Sequence, residues 1–463
     1  MRVEGMSTRL HDALADLASE TPTGAPTGAP EELWHRGVRR RRRVRAAVAA
    51  GVAAVLVGIA GVVTVATGTV LAEPPVAAPT GEPRMPDALW SPSPWIPGTD
   101  DAGPPGRIAV VFWDNMRRKD FWGRQSGGYV AVSAVDGRYR YLDVQGLERD
   151  VDPVLSPDGR YLAYPTYPTE AAAGEEGEVP PTGWAVYDAA TGEVRRHAPA
   201  GVELSTAGEA TPVWAGDSRT LLVEVCRAFP DDAAACRADR TDAWDVESGE
   251  VRELPARLVT SAVGTHGDGL LLLRGSRLVV LDATSGDERL VGRVDLGELT
   301  TVDLVQLDEE SGELAVVGTR GSASEQLLAA GVPLDGAAPT WRRLLSGSLS
   351  YTTVEPLGWF RDGWALALVV TNGDEVGGEE IREQIRADEI RSERNATVIE
   401  VERGFTGSVP QLAADLADGP YRDGTPEPDD PTDPRLLVGG AVAVAVLAAL
   451  AAGVWWRRRR LLG

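Results

Sequence analysis

Short apolar segments bounded by turn formers, two hairpin patterns that return at steps near fifty residues, and two long uncharged runs at either side together predict an all-β fold. The architecture they predict is a β-propeller of six four-stranded blades, seven if the chain ends complete another, flanked by two single transmembrane α-helices.

Residues 1–45 read as a cytoplasmic segment, with Leu10, Leu14 and Leu17 at helical spacing behind Ser7 and a Thr/Pro/Gly linker reaching Pro30. Residues 46–72 carry no charge over 27 positions. As a helix such a run extends roughly 40 Å, against a hydrocarbon core of roughly 30 Å. Arg39, Arg40, Arg41, Arg42 and Arg43 stand before it. Val70-Leu71-Ala72 would also serve as a signal-peptide cleavage site, but the run is about twice an ordinary signal core, so an uncleaved anchor is expected. Residues 73–106 hold ten prolines and read as an extended stalk. Leu89, Trp90, Trp95 and Ile96 are costly to leave in water, so its second half is expected against the folded domain.

Residues 107–410 read as short strands and form the propeller: Ile108–Trp113, Tyr129–Val135, Tyr161–Tyr164, Trp184–Tyr187, Leu221–Val225, Leu270–Leu273, Arg277–Leu281, Leu314–Val317, Trp364–Val370 and Thr397–Val401. One turn pattern puts Asp and a small residue before an apolar strand, at Asp158-Gly159, Asp217-Ser218 and Asp362-Gly363, with looser copies at Asp268-Gly269 and Ser311-Gly312. A second runs Asp188 to Gly192, Asp245 to Gly249 and Asp282 to Gly286. Both are hairpins, because Asp-Gly and Ser/Thr-Gly supply the positive φ that tight turns need. The first pattern advances by 59, 51, 43 and 51 residues, the period of a four-stranded blade.

Leu155-Ser-Pro-Asp158-Gly159-Arg-Tyr-Leu-Ala-Tyr164 resembles the TolB-like propeller repeat, whose signature is a Ser-Pro-Asp-Gly turn leading into an aromatic-rich strand. The copies at Asp217 and Asp362 are degenerate. The resemblance implies a rigid scaffold for protein or ligand binding. A single lysine, Lys119, among many arginines, with abundant Ala, Gly and Val, adds the bias of a high-GC, actinobacterial coding sequence.

Residues 411–435 are dense in Asp, Pro and Gly toward their end and read as a second stalk. Residues 436–456 form a second uncharged run of 21 positions, about 31 Å as a helix, ending at the interfacial pair Trp455 and Trp456. Arg457, Arg458, Arg459 and Arg460 open the basic tail, residues 457–463. Basic flanks on the outer ends of both runs place both termini in the cytoplasm and residues 73–434 outside, in a two-pass protein of the cell membrane. The lipid bilayer is one expected partner.

The net charge of -23 is segregated, since residues 73–434 hold 32 basic and 63 acidic side chains. Such a field repels phosphate and excludes nucleic acid as a partner of the central region. Chemistry is sparse there. His197 and His266 stand without a nearby ligand set, Gly216-Asp217-Ser218 is similar to a lipase nucleophile region but occupies a repeat turn, and no Gly-x-Ser-x-Gly, His-Glu-x-x-His or P-loop is present. Glu175-Glu176, Asp231-Asp232 and Asp374-Glu375 lack calcium-loop spacing, Asn395-Ala-Thr is a chance glycosylation match, and Ala54 with Gly58 is an Ala-rich helix's small-residue spacing. No catalytic residue, metal or cofactor is expected.

Cys226 and Cys236, the only cysteines, are expected to form a disulfide across a polar loop in an oxidising compartment. The connections between second and third strands are long, at Pro165–Gly183, Cys226–Asp242 and Thr371–Ala396, the last holding a short helix with Ile381 and Ile385 on one side. A protein or envelope ligand is expected on this loop-rich face. The function these readings predict is a non-enzymatic membrane-anchored binding or scaffold protein. A transmembrane signalling regulator is the alternative, and a propeller enzyme the third reading.

Overall fold

The structure is a computed structural model describing residues 34, 38, 77–117, 127–147, 153–167, 181–199, 212–229, 232–255, 258–297, 299–307, 314–320, 325–337, 339–340, 342–343, 352–360, 364–371, 382–389, 395–401, 410–417, 419–428 and 434–461. Expectations for residues 1–33, Arg39 to Arg43, the run 46–72 and the Asp362-Gly363 turn lie outside these residues. The chain divides into two units, Leu71–Asp433 and Met1–Val70 with Pro434–Gly463.

The regular secondary structure described within Leu71–Asp433 is nearly all strand. It opens with β1 (Met85–Pro86), β2 (Ala88–Leu89) and one helical turn, α1 (Thr99–Ala102). The first sheet holds β3 (Ile108–Asp114), β4 (Gly128–Ser133) and β5 (Tyr139–Tyr141). The second holds β6 (Val154–Leu155), β7 (Tyr161–Thr166), β8 (Gly183–Asp188) and β9 (Val194–His197), and the third β10 (Val213–Trp214), β11 (Thr220–Phe229), β12 (Asp232–Asp245) and β13 (Val251–Leu254). In the fourth are β14 (Ala262–His266), β15 (Gly269–Arg274), β16 (Arg277–Leu281) and β17 (Glu288–Arg293). The fifth holds β18 (Leu299–Leu307), β19 (Leu314–Arg320), β20 (Glu325–Val332) and β21 (Arg342–Arg343), and the sixth β22 (Thr352–Phe360), β23 (Trp364–Thr371), β24 (Arg382–Glu389) and β25 (Asn395–Val401). β26 (Gln411–Leu412), α2 (Ala414–Ala417) and β27 (Tyr421–Arg422) finish the unit.

Alternation along each strand explains how these sheets stack. On β7, Tyr161 and Ala163 join one buried cluster while Leu162 and Tyr164 join another. β11 repeats the division with Leu221 and Val223 against Leu222, and β15 with Leu270 and Leu272 against Leu271. Successive side chains point to opposite faces, so, among the described residues, each of the first five sheets shares a core with its neighbour in sequence, and Ile399 of the sixth joins the core of the first. That is why the strands read as near-continuous apolar runs, and it makes the unit a propeller-like all-β fold.

The segments expected as stalks are built into this fold. β26 pairs antiparallel with β3, so residues from the chain's end complete the first sheet in the order β26-β3-β4-β5. β2 joins β25 in parallel as a fifth strand of the sixth sheet, and β1 pairs in parallel with β27. Met85 and Leu89 are fully buried as a result.

Two expected loops differ. Within Cys226–Asp242 the chain continues as strand through β11 and β12, and within Thr371–Ala396 residues 382–389 are the strand β24 rather than a helix. In both, the register with the preceding strand supplies hydrogen bonds that an isolated short helix lacks.

In the other unit, Pro434–Leu461 is one continuous helix, α3, of 28 residues. Among the residues whose side chains are described, no helix is long and apolar enough to cross a membrane. Residues 437, 438, 441, 442 and 445 of α3 are outside them. Leu436, Val444, Leu447, Leu450, Val454 and Trp455 are exposed, and the Arg459 guanidinium lies over the Trp455 ring at 4.6 Å.

Candidate functional site

The repeat turns gather at one end of the sheets. In the second sheet, Ser156 donates its hydroxyl to Asp158 Oδ1 (2.8 Å), and the same carboxylate oxygen accepts from the Arg160 amide (3.0 Å). Gly159 has φ +75°, and a Cβ there would meet the Ile108 carbonyl oxygen at 2.0 Å. The equivalent residue in the third sheet is Ser218, at φ 55°, beside an Asp217 that accepts from the amides of Arg219 and Thr220. In the second pattern Asp245 and Asp282 each accept two amides from the turn that follows, and Asp188 accepts that of Ala190. Gly192, Gly249 and Gly286 close these turns with φ of 80°, 76° and 78°. The Asp side chains of the repeats are therefore turn builders.

Arginines then join neighbouring turns. Arg160 pairs with Asp188 of its own sheet (3.1 Å) and Glu247 of the next (2.9 Å), Tyr161 donates to Glu247 (3.1 Å), and Arg219 pairs with Asp245. For Asp245, burial pushes the carboxyl up, but the hydrogen bonds from Arg219, Ser248 and Glu247 together hold it at about 2. Burial and the neighbouring Glu247 and Asp188 push the Tyr161 phenol above its ordinary value despite Arg160.

His197, at the end of β9, does find partners across the seam to the third sheet. Its Nε2 lies 2.9 Å from Asp242 Oδ2, Arg240 Nε lies 2.7 Å from Oδ1, and the ring rests on Trp244 with centroids 5.5 Å apart. Asp242 is buried; desolvation raises its carboxyl, and the His197 and Arg240 contacts more than reverse this and leave it below its usual range. With both carboxylate oxygens held, the group locks two sheets together. His266 ends β14, beside the Gly267-Asp268 turn. No cluster of three metal-ligating side chains occurs among the described residues.

The opposite end carries the connections between second and third strands. At the first sheet, Tyr141 donates to the buried Asp114 (2.5 Å), and Arg117 stacks on Tyr141 while pairing with Asp143 (2.5 Å). Sequence reasoning missed this group, because its members are 27 positions apart and only the β3–β4–β5 register unites them.

At the third sheet, β10 reaches only Leu221 and Leu222 on one side, and β13 only Thr241 to Trp244 on the other. The β11–β12 ladder runs on from Cys226↔Ala238 to Phe229↔Asp232, so a two-stranded ribbon extends past its neighbours. The side chains of Cys226 and Cys236, and with them the expected disulfide, lie outside the described residues. In the backbone register Cys226 lies opposite Ala238 and Cys236 opposite Ala228. No disulfide is found among the described residues. Of the other two expected long connections, residues 168–180, 372–381 and 390–394 lie outside the described residues.

No family model matches the chain, and no curated protein matches it. Among solved structures it is similar to a eukaryotic initiation factor, with 11% identity over 63% of this chain and 62% of that chain and a TM-score of 0.30. It is also similar to dipeptidyl peptidase 4 of Porphyromonas gingivalis (12% identity, 59% and 42% covered, TM-score 0.29). A third is the β-propeller domain of the Trilobed protease from Pyrococcus furiosus (14% identity, 68% and 85% covered, TM-score 0.36). The chain spans less than two thirds of the first two.

Proposed function

We propose that this chain is a membrane-anchored, extracytoplasmic binding scaffold without enzymatic activity, built as a six-bladed TolB-like propeller whose ring is closed by β26. The six sheets and their shared cores support the blade number. Membrane attachment rests on the uncharged runs of 27 and 21 residues with arginines at their outer ends, and on a helix whose described large apolar side chains, from Leu436 to Trp455, are exposed. Apolar surface of that extent is stable in lipid and costly in water.

The observation that carries the binding role is the ribbon of residues 226–240. It extends past β10 and β13, no third strand pairs with its edges among the described residues, and unpaired backbone groups on such an edge accept a partner strand. The His197 and Asp217 side chains that could have suggested catalysis are occupied by structural contacts. The test is in-cell crosslinking of the full chain against a variant with residues 227–237 replaced by Asn-Gly. Loss of a crosslinked species at unchanged thermal stability supports the reading, and an unchanged crosslinking pattern refutes it.

A further inference from the structure

The chain enters and leaves the strand unit side by side. β1 and β27 run parallel, with Met85 opposite Tyr421 and Pro86 opposite Arg422. Asp87 extends this pairing. Its carboxylate accepts the amides of Gly424 (2.6 Å) and Thr425 (2.8 Å), and its own amide donates to the Thr425 hydroxyl (3.1 Å). Both segments are also tied to one turn of the first sheet, residues 134–138 between β4 and β5. The Arg84 amide donates to the Ala134 carbonyl (2.8 Å), and the Arg422 guanidinium donates to the carbonyls of Ala134 (3.1 Å) and Val135 (2.5 Å). The entering segment joins the sixth sheet as well, through the parallel pair β2–β25 and the Glu400 amide, which donates to the Asp87 carbonyl (2.9 Å).

Strand direction decides how this clasp responds to tension. Residue 84 leads into β1 at its N-terminal end, whereas residue 423 leaves β27 at its C-terminal end. In a parallel pair these two ends lie at opposite ends of the pair. A pull between the ends of the unit therefore drives β1 and β27 past each other along their length. Such sliding stretches the β1–β27 bonds and the Asp87 bonds to residues 424 and 425 together, while Arg84 and Arg422 hold both segments to the same turn. An antiparallel hairpin pulled apart at its open end instead gives up its ladder bonds one pair at a time. Bonds that must break together yield at a higher force than bonds that break in turn, because the barrier to forced unfolding then contains all of them.

We infer that the Asp87 clasp is a mechanical lock. Tension between the two ends of the strand unit acts on it in shear, and the sixth and first sheets lose β2 and β26 only after it yields.

Optical tweezers on the full chain in detergent test this. In a Cys226→Ser, Cys236→Ser background, one handle pair would be Thr80→Cys with Glu427→Cys, which pulls the ends. The other would be Thr191→Cys with Ser248→Cys, which pulls exposed turns of the second and third sheets apart. The expected unfolding force is at least about twofold higher for the 80/427 pair. Asp87→Ala should lower that force by at least about a third and leave the 191/248 force unchanged. Equal forces in the two directions overturn the lock, and this comparison requires no change in the clasp itself. An 80/427 force unaltered by Asp87→Ala, or one lowered equally in both directions, overturns it too.

Discussion

The backbone amide of Asp158 donates a 3.0 Å hydrogen bond to the hydroxyl of Ser218, which stands one repeat later, one position further along its own turn. Ser218 holds φ 55°, where its counterpart in the second sheet is Gly159. The strain of a left-handed non-glycine residue, about 1–2 kcal/mol, is thus offset by a bond between neighbouring sheets worth about 0.5–1.5 kcal/mol. Ser218→Gly removes both and is expected to be nearly neutral. Ser218→Ala keeps the strain and loses the bond, so it should be less stable than Ser218→Gly by about 1–2 kcal/mol in urea unfolding. Equal stability of the two variants would contradict this account.

Ring closure depends on Gln411. Its amide nitrogen donates to the Pro153 carbonyl (2.6 Å) and its Oε1 accepts from the Leu155 amide (3.1 Å), coupling β26 to the entry strand of the second sheet. Gln411→Leu leaves both backbone groups unpartnered and should cost about 2 kcal/mol or more. Hydrogen exchange should accelerate first in β26 and β6; a loss spread evenly over all six sheets would argue against a local seam.

Gly98 has no room for a side chain. A Cβ there would lie 1.6 Å from Asp143 Oδ2, the oxygen beside the one that pairs with Arg117 at 2.5 Å, and both side chains are 8% exposed. Gly98→Ala must break or displace that pair, and losing one partner of a buried pair costs about 3 kcal/mol. A melting temperature unchanged in Gly98→Ala would show that the segment 97–99 can move away from β5.

Acid should destabilise the fold through four carboxylates. Asp87, Asp242, Asp245 and Asp282 are all held below their ordinary value, Asp245 at about 2. For Asp87, burial pushes upward, but the bonds from Thr425 and Gly424 outweigh it; for Asp282, the amides of Ser285 and Thr284 lower it directly. A folded-state value below the unfolded one, near 4, means stability that is present in full above about pH 4–5 and is lost as the pH falls toward about 2. Thermal midpoints should therefore drop across that window, and Asp245→Asn should flatten the drop while lowering stability at pH 7. An unchanged acid limb in Asp245→Asn would exclude its contribution.

The sequence by itself determined the strands and the turns, because both are local. Alternating apolar residues and a positive-φ position after Asp leave the chain few other conformations, and nine of the ten expected strands fall within observed ones, while Tyr129–Val135 runs two residues past the end of β4 into its turn. Tertiary structure decided what those turns hold and where the chain ends go. A contact such as His197 to Asp242, or Asp87 to Thr425, joins residues 45 or 338 positions apart, and no local pattern encodes such a pairing. Likewise, the proline-rich composition of residues 73–106 argued for an extended stalk, whereas the described part, residues 77–106, holds the short strands β1 and β2 and the helical turn α1. Whether an extended segment hangs free or becomes an edge strand depends on a sheet edge with open donors and acceptors, which only the assembled sixth sheet and β27 provide.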